Sequence, residues 1–270
     1  MEARTKLVVA YLGGGFSGWQ RQRRGRTVQG ELEAALARVT GGRPAAVVGA
    51  GRTDAGVHAA GQVAHVDLPV PVPPPVLPHL LNARLPPDVR IRSAVAAPRR
   101  FHARTSALGK LYVYRARWRT PELPWVEPLA ATVAPVDRPG DLEAACRLLV
   151  GRHDWSSFTV PEVALRGAVR TVSRVEVRWR RHGLEVHVVG EGFLRYQVRR
   201  MVAALLEVGR GRMSTGDLEG LLARPAPGSP LPTAPPSGLC LERVYYRDSP
   251  RLHGSGSRVL RRAERARSLW

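Results

Sequence analysis

The sequence predicts an α+β protein made of two halves, each with a mixed or antiparallel sheet flanked by helices. Two observations lead to this prediction. Apolar and β-branched residues cluster or alternate in segments typical of strands, and elsewhere they recur at helical spacing. Strand, helix and further strands also follow one another twice along the 270 residues. We therefore expect a first domain at 1–105, a second at 106–247 and a flexible arginine-rich tail at 248–270.

The first half opens with a predicted strand and a predicted helix. KLVVAYL (6–12) has the β-branched content of a buried strand. Thr27 is a suitable N-cap, and the apolar residues after it lie on one helical face until Gly41 and Gly42 end the helix. That face consists of Val28, Leu32, Leu36 and Val39.

The rest of the first half is predicted to be mainly strand. A short strand is expected at 45–49, and QVAHVDL (62–68) alternates apolar and polar residues, as a half-exposed strand does. Eight prolines between 69 and 87 exclude a long helix. They leave room for one short helical turn at 76–83, before a strand that resumes at 89–97.

The second half follows the same order of elements. Ser214, with Asp217 three residues later, forms the capping pattern of a helix start. The predicted elements are a strand at 111–118, a helix at 141–150, a hairpin over 172–190 turning at His182-Gly183, helices at 195–208 and 214–223, and a strand at 238–246.

The net charge of the chain indicates the kind of partner that it binds. The chain has 42 Lys plus Arg against 22 Asp plus Glu, a formal net charge of +20. Its lysines are Lys6 and Lys110, so nearly all of the positive charge is arginine, which a GC-rich coding genome also favours. Whatever its origin, a positive field of this size attracts polyanions such as phosphate backbones. A membrane surface is the competing anion.

Several function classes are disfavoured. No stretch has the apolar length of a membrane span, and the N-terminus lacks a signal-peptide pattern, so we expect a cytoplasmic protein. Cys146 and Cys240 lie far apart in apolar surroundings and are expected to be buried thiols. His58 and His65 lack further ligands at metal spacing, so no metal site is expected.

The strongest candidate site is GRTDAGVHAAGQ (51–62), a glycine-punctuated loop with a single carboxylate, Asp54. Gly51 and Gly56 allow a sharp turn and a close approach to a ligand. Because the loop has no second acid, cysteine or lysine, chemistry here would use Asp54 alone, as a nucleophile or an electrostatic stabiliser. The alternative is an aspartate that only stabilises a turn.

Two further segments carry candidate site residues. Tyr112 and Tyr114 share one face of a strand, where they would stack on a nucleobase or belong to the core. Arg199 lies beside the apolar stripe of the helix at 195–208, so its charge requires an anion there. Asp54 would serve, although a solvated or phosphate-binding arginine fits the pattern as well.

Trp19 in GWQRQ (18–22) is a third candidate. Beside Arg21 it would contact single-stranded nucleic acid, or it would be an ordinary core tryptophan.

Seven segments together resemble the TruA-type tRNA pseudouridine synthases, from about residue 6 to residue 246. GRTDAGVHA is a highly specific signature of that family, and the other segments occur in its order and spacing. The segments are GWQRQ, GAGRTDAGVHAAGQVAHVD, LLNARLPPDVRI, FHARTSALGKLYVYR, DWSSF, FLRYQVRRMV and GLCLERVYY.

This resemblance implies a pseudouridine synthase fold, with two α/β subdomains around a basic cleft, and a homodimer. It implies isomerisation of uridine to pseudouridine at positions 38–40 of the tRNA anticodon stem-loop, without cofactor or metal. Asp54 matches the essential aspartate, Tyr112 the active-site tyrosine that packs on the base, and Arg199 the arginine that pairs with the aspartate. Arg52 matches the residue that enters the stem when the base is flipped out.

Four positions depart from the family pattern, and two other functions remain open. The departures are Leu12, Gln197, Ala203 and Cys240, and Gln197 is the one near a proposed site residue. A non-catalytic RNA-binding protein would use the same basic surface but would not need Asp54. A phosphoryl-transfer enzyme would want a metal and further carboxylates, which the loop lacks.

Overall fold

The computed structural model describes residues 4–118 and 127–247, and their strands form one mixed sheet. The strands are β1 (Arg4–Tyr11), β2 (Val47–Gly49), β3 (His58–Asp67), β4 (Val89–Ala96), β5 (Gly109–Arg117), β6 (Ala131–Thr132), β7 (Gly151–Asp154), β8 (Val169–Arg180), β9 (Gly183–Gly190) and β10 (Leu239–Tyr245). The helices are α1 (Val28–Val39), α2 (Leu77–Asn82), α3 (Pro139–Leu148), α4 (Pro161–Ala164), α5 (Gln197–Gly209) and α6 (Thr215–Ala223).

The last strand, β10, lies in the middle of the sheet and joins β3 on one side to β5 on the other. The strand order is β4-β1-β3-β10-β5-β9-β8-β7, with β2 on β3 and β6 on β5. β10 pairs parallel to β3, where Cys240 lies opposite His58, and antiparallel to β5, where Leu241 lies opposite Tyr112. The start of β3 and the middle of β5 are therefore one strand apart. Because strands from both predicted domains share this sheet, a boundary near residue 105 stays a prediction.

Most predicted elements are confirmed. α1 begins after Thr27, whose side chain accepts a hydrogen bond from the backbone of Gly30. α6 has the full capping box between Ser214 and Asp217. The proline-rich connector contains only the short helix α2 after a single 3₁₀ turn. Local sequence was sufficient here because caps and prolines act within one helical turn.

The prediction of a half-exposed strand at 62–68 is wrong. Only Asp67, at the end of β3, is exposed. The polar residues of β3 are buried because the backbone supplies partners for them: Gln62 donates from Nε2 to the carbonyl of Gly51 at 3.0 Å, and His65 Nδ1 accepts from Ala103 at 3.1 Å. His58 Nδ1 likewise accepts from Gly13 at 3.0 Å. Both histidines are structural hydrogen-bond acceptors in the core.

Several boundaries differ from the prediction by a few residues, among them the hairpin turn and the start of α5. The hairpin turns at Arg181-His182, and Gly183 already pairs with Arg180 in the ladder. α5 starts at Gln197 because Tyr196, its N-cap, has a left-handed backbone that no regular helix contains.

The structure also shows the surroundings of the two cysteines and of Gln197, the α5 residue that departs from the family pattern. Cys146 is buried and Cys240 half-buried, and neither is in a disulfide. Gln197 is fully buried, and its Oε1 accepts from the backbone of Leu194 at 2.9 Å. This residue therefore stabilises the turn before α5. The predicted tail at 248–270 lies outside the described residues.

Candidate active site

The loop that carries Asp54 is held by contacts with the segment that follows β1. The backbone of Trp19 donates to Thr53 O at 3.2 Å, and that of Gly56 donates to Phe16 O at 3.2 Å. The hydroxyl groups of Thr53 and Tyr11 are 2.8 Å apart in the core. Gly56 has φ +79°, a conformation that glycine adopts without strain. The loop is therefore rigidly placed before β3 begins.

Asp54 lies opposite the start of α5. Arg199 Nη1 is 3.9 Å from Asp54 Oδ2, and the two side chains are 12% and 23% exposed. Arg199 Nε donates to the carbonyl of Ala234 at 2.7 Å. The guanidinium is thus anchored on one edge and presents its other edge to the carboxylate. The structure brings together the two residues that the sequence suggested as a pair.

The charge state of Asp54 is set by opposing effects. Burial raises the pKa of Asp54, because a carboxylate loses hydration there. The positive charges of Arg199 and Arg195 and the backbone of Tyr196 act in the opposite direction. A half-buried carboxylate that is poorly hydrated is a stronger nucleophile and a stronger electrostatic centre than an exposed one.

Tyr112, on β5, is the third residue of the candidate site. Its ring is 7% exposed and packs edge-on against Phe193, with centroids 5.4 Å apart. Burial raises the pKa of Tyr112, and the negative charge of Asp54 adds to the shift. The phenol is therefore protonated at neutral pH. Tyr114, on the same face, is fully buried against Gly238, which identifies it as a core residue.

Arg52 and Trp19 have opposite surroundings. Arg52 is exposed, two residues before Asp54. Trp19 is 2% exposed and its ring lies against Gly49, where an added Cβ would be 2.6 Å from the indole. Trp19 is therefore a core residue and is not available to stack on a nucleic acid.

Tyr196 is a site residue that the sequence did not reveal. It has φ +63°, the only positive φ of a non-glycine residue in 4–118 and 127–247. Its ring is close to two guanidinium groups: the ring centre is 4.8 Å from Cζ of Arg195 and 5.3 Å from Cζ of Arg199. The left-handed conformation directs the backbone of Tyr196 toward Asp54, with which it forms a hydrogen bond. This contact lies at the N-terminus of α5, where the helix dipole favours a negative charge. No sequence pattern marks a tyrosine for this conformation.

The described residues contain neither a membrane-spanning helix nor a cluster of metal-ligating side chains. No helix in 4–118 or 127–247 combines the length and the apolar character of a membrane span. Over the same residues, His, Cys, Asp and Glu side chains nowhere form a group of three that could hold a metal ion.

Comparison with known proteins identifies the family of this chain. A family profile described as tRNA pseudouridine synthase matches residues 7–106 and 145–247. A tRNA pseudouridine synthase A from Geobacillus kaustophilus is 41% identical over 261 residues, covering 94% of this chain and 98% of the relative. Its namesake from Syntrophotalea carbinolica is 42% identical over 248 residues, covering 90% and 96%. The chain belongs to the tRNA pseudouridine synthase family.

Proposed function

We propose that this protein isomerises uridine to pseudouridine at positions 38–40 in the anticodon stem-loop of tRNA, without a cofactor. Membership of the family and the net charge of +20 support a tRNA substrate. The observation that carries the proposal is the placement of one half-buried carboxylate, Asp54, beside the guanidinium of Arg199 and within electrostatic reach of Tyr112. A cytoplasmic homodimer with a basic cleft is the expected assembly.

The reaction needs one nucleophile and no second acid. Asp54 forms a covalent bond either to ribose C1′, releasing uracil, or to the base. The N1–C1′ bond breaks, the base turns, and a C5–C1′ bond forms. The bond to Asp54, whether at C1′ or on the base, breaks again and frees the carboxylate. A proton then leaves C5 and a proton is taken up at N1, so that atoms and electrons balance without a redox partner. A single aspartate is sufficient for this sequence of steps.

Access to the target requires base flipping. A uridine stacked in an RNA stem exposes neither C1′ nor the faces of its ring to a side chain, so it must leave the stack. Arg52 is exposed on the loop that carries Asp54 and would occupy the space that the uridine leaves. Its position on a rigid loop, close to the nucleophile, supports this role.

Arg199 and Tyr112 assist Asp54 in different ways. Arg199 orients the carboxylate and keeps it ionised, because its own position is fixed by Ala234. Tyr112 packs on the flipped base. Burial keeps its phenol protonated, so it can help to remove the C5 proton only while passing on its own.

Pseudouridine mapping in tRNA transcripts treated with the pure protein tests this function. We expect pseudouridine at one or more of positions 38–40 and nowhere else. Product outside the anticodon arm would contradict the substrate assignment. Salt-sensitive tRNA binding without any product would instead identify a non-catalytic RNA-binding protein.

A further inference from the structure

Lys110 lies on the same side of the sheet as the proposed active site. It is two residues before Tyr112 on β5, and alternate residues of a strand share one face. Its ammonium reaches the loop of Asp54: a Cβ added to Gly51 would be 2.7 Å from Lys110 Nζ. Gly51 precedes Asp54 by three residues. The lysine therefore contacts the backbone of the loop that carries the nucleophile.

Lys110 has no anionic partner within residues 4–118 and 127–247. The charged group that acts on it is Arg104, which is also positive. Asp54 is not the counter-ion of Lys110, because the side-chain charges that act on Asp54 are those of Arg199 and Arg195. Burial, with a smaller effect of Arg104, lowers the pKa of Lys110 to about 8. A half-buried ammonium without a counter-ion is unfavourable in the free protein.

Two more cations lie on the adjoining segments of the chain. Arg52 follows Gly51 on the loop, and Arg104 lies on the turn before β5; both are exposed. We call Arg52, Arg104 and Lys110 the basic rim. All three charges have one sign, so an anion bound beside Lys110 relieves its repulsion with Arg104 and supplies the missing counter-ion.

The chemistry of the rim matches a phosphodiester. An ammonium is a compact point charge with three donors and binds phosphate oxygens from several directions. An RNA strand presents one phosphate per nucleotide, so a nucleotide held at Asp54 places its own or a neighbouring phosphate close to the loop. A protein carboxylate is not needed, because the substrate carries the charge.

We propose that Lys110 binds a backbone phosphate of the tRNA beside the nucleotide held at Asp54. This inference rests on the proposed function for the identity of the RNA. Lys110 acts as a substrate-binding residue and takes no part in the covalent steps. Gly51 has a matching role, since a side chain there would displace the ammonium.

Substitution of each of the two lysines provides a matched test. Lys110→Met removes one charge at the rim, whereas Lys6→Met removes one charge from an ammonium that lies 4.3 Å from the ring centre of Tyr246. We expect Lys110→Met to raise Kd for tRNA and KM about tenfold, with kcat at saturating tRNA changed less than about twofold. The slope of log Kd against log salt should fall by about one for Lys110→Met and stay unchanged for Lys6→Met.

Amine labelling checks the contact without removing the lysine. Asp54→Asn protein is treated with an amine-selective reagent at pH 8, with and without tRNA, and both lysines are quantified by mass spectrometry. We expect tRNA to protect Lys110 and to leave Lys6 unchanged. Lys110→Arg, which keeps the charge, should recover part of the lost affinity.

The outcomes separate this inference from the proposed function. Equal Kd values and salt slopes for Lys110→Met and Lys6→Met, or labelling of Lys110 that tRNA does not change, would overturn the role of Lys110 even if pseudouridine forms at 38–40. Weakened binding by folded Lys110→Met, with pseudouridine mapped elsewhere, would leave Lys110 as a phosphate ligand and overturn the anticodon assignment.

Discussion

The centre around Asp54 and the basic rim differ in how their charges are balanced. At the centre, Asp54 faces Arg199 and the start of α5, so the protein itself supplies both signs of charge. At the rim, Lys110 and Arg104 are neighbours of the same sign. The centre is thus complete before substrate arrives, whereas the rim needs an anion from outside. Under the two proposals, this difference separates a preorganised chemical group from a substrate-binding surface.

The largest expected effect comes from removing the proposed nucleophile at the centre. Asp54→Asn should lower turnover by at least about 10⁴-fold, because the amide cannot form the covalent intermediate. It should fold and bind tRNA, because burial already disfavours the charge of Asp54. Single-turnover assays and filter binding measure both properties. The exposed Asp137→Asn is the matched control and should keep full activity.

The next effect tests the ion pair. Arg199→Ala should lower kcat by about 10²- to 10³-fold, because the carboxylate loses the group that orients it. Its neighbour Arg200 donates to the carbonyl of Thr159 at 2.8 Å, away from Asp54. Arg200→Ala should therefore lower Tm and leave kcat unchanged. Equal kcat values for the two alanine variants would show that proximity of Arg199 to Asp54 has no catalytic consequence.

A smaller effect distinguishes the backbone of Tyr196 from its ring. Glycine adopts a positive φ freely, whereas valine is strained there by about 1–3 kcal/mol. Tyr196→Val should therefore be about tenfold slower than Tyr196→Gly, with the difference in kcat.

The pH profile of the same two variants provides a second measurement. The backbone of Tyr196 lowers the pKa of Asp54, so losing that contact should move the acid limb of kcat to higher pH in Tyr196→Val only. Equal rates and equal acid limbs would assign the effect to the ring beside Arg195 and Arg199.

The smallest expected effect concerns the basic rim and is a change in the free energy of unfolding. The pKa of Lys110 is about 8 in the folded protein and 10.5 ordinarily, so the unfolded chain holds the proton more tightly. This group therefore lowers the free energy of unfolding below pH 8, and the loss is recovered as pH rises toward 10.5. Arg104 is the charged neighbour that acts on Lys110.

Lys110→Met should consequently be more stable than the parent at pH 7 by about 1–2 kcal/mol, and the gain should shrink between pH 8 and 10.5. Urea denaturation at several pH values measures this difference. A variant that is less stable at pH 7 would mean that the ammonium already has a favourable partner in the free protein. Increased stability with weakened tRNA binding would be the mark of a group retained for its ligand.

Local sequence was sufficient for the elements and for the position of the loop. Thr27, Ser214 and the prolines of 69–87 act on residues one turn away, and the structure agrees with each prediction. Asp54 was a candidate because it is the single carboxylate of a glycine-punctuated loop, and the resemblance to a family attached roles to Asp54, Tyr112 and Arg199. Those roles stay predictions, although the structure places the residues together.

Only the tertiary structure decided the surroundings of these residues. The insertion of β10 between β3 and β5 depends on packing between segments almost 200 residues apart, and no local periodicity encodes it. The fold also buries both faces of β3, which overturned the half-exposed prediction. It brings Lys110 against Gly51 and Asp54 opposite Tyr196. Sequence alone determined which chemistry the chain carries, because that depends on residue type; the fold decided which charges are neutralised, because that depends on distance.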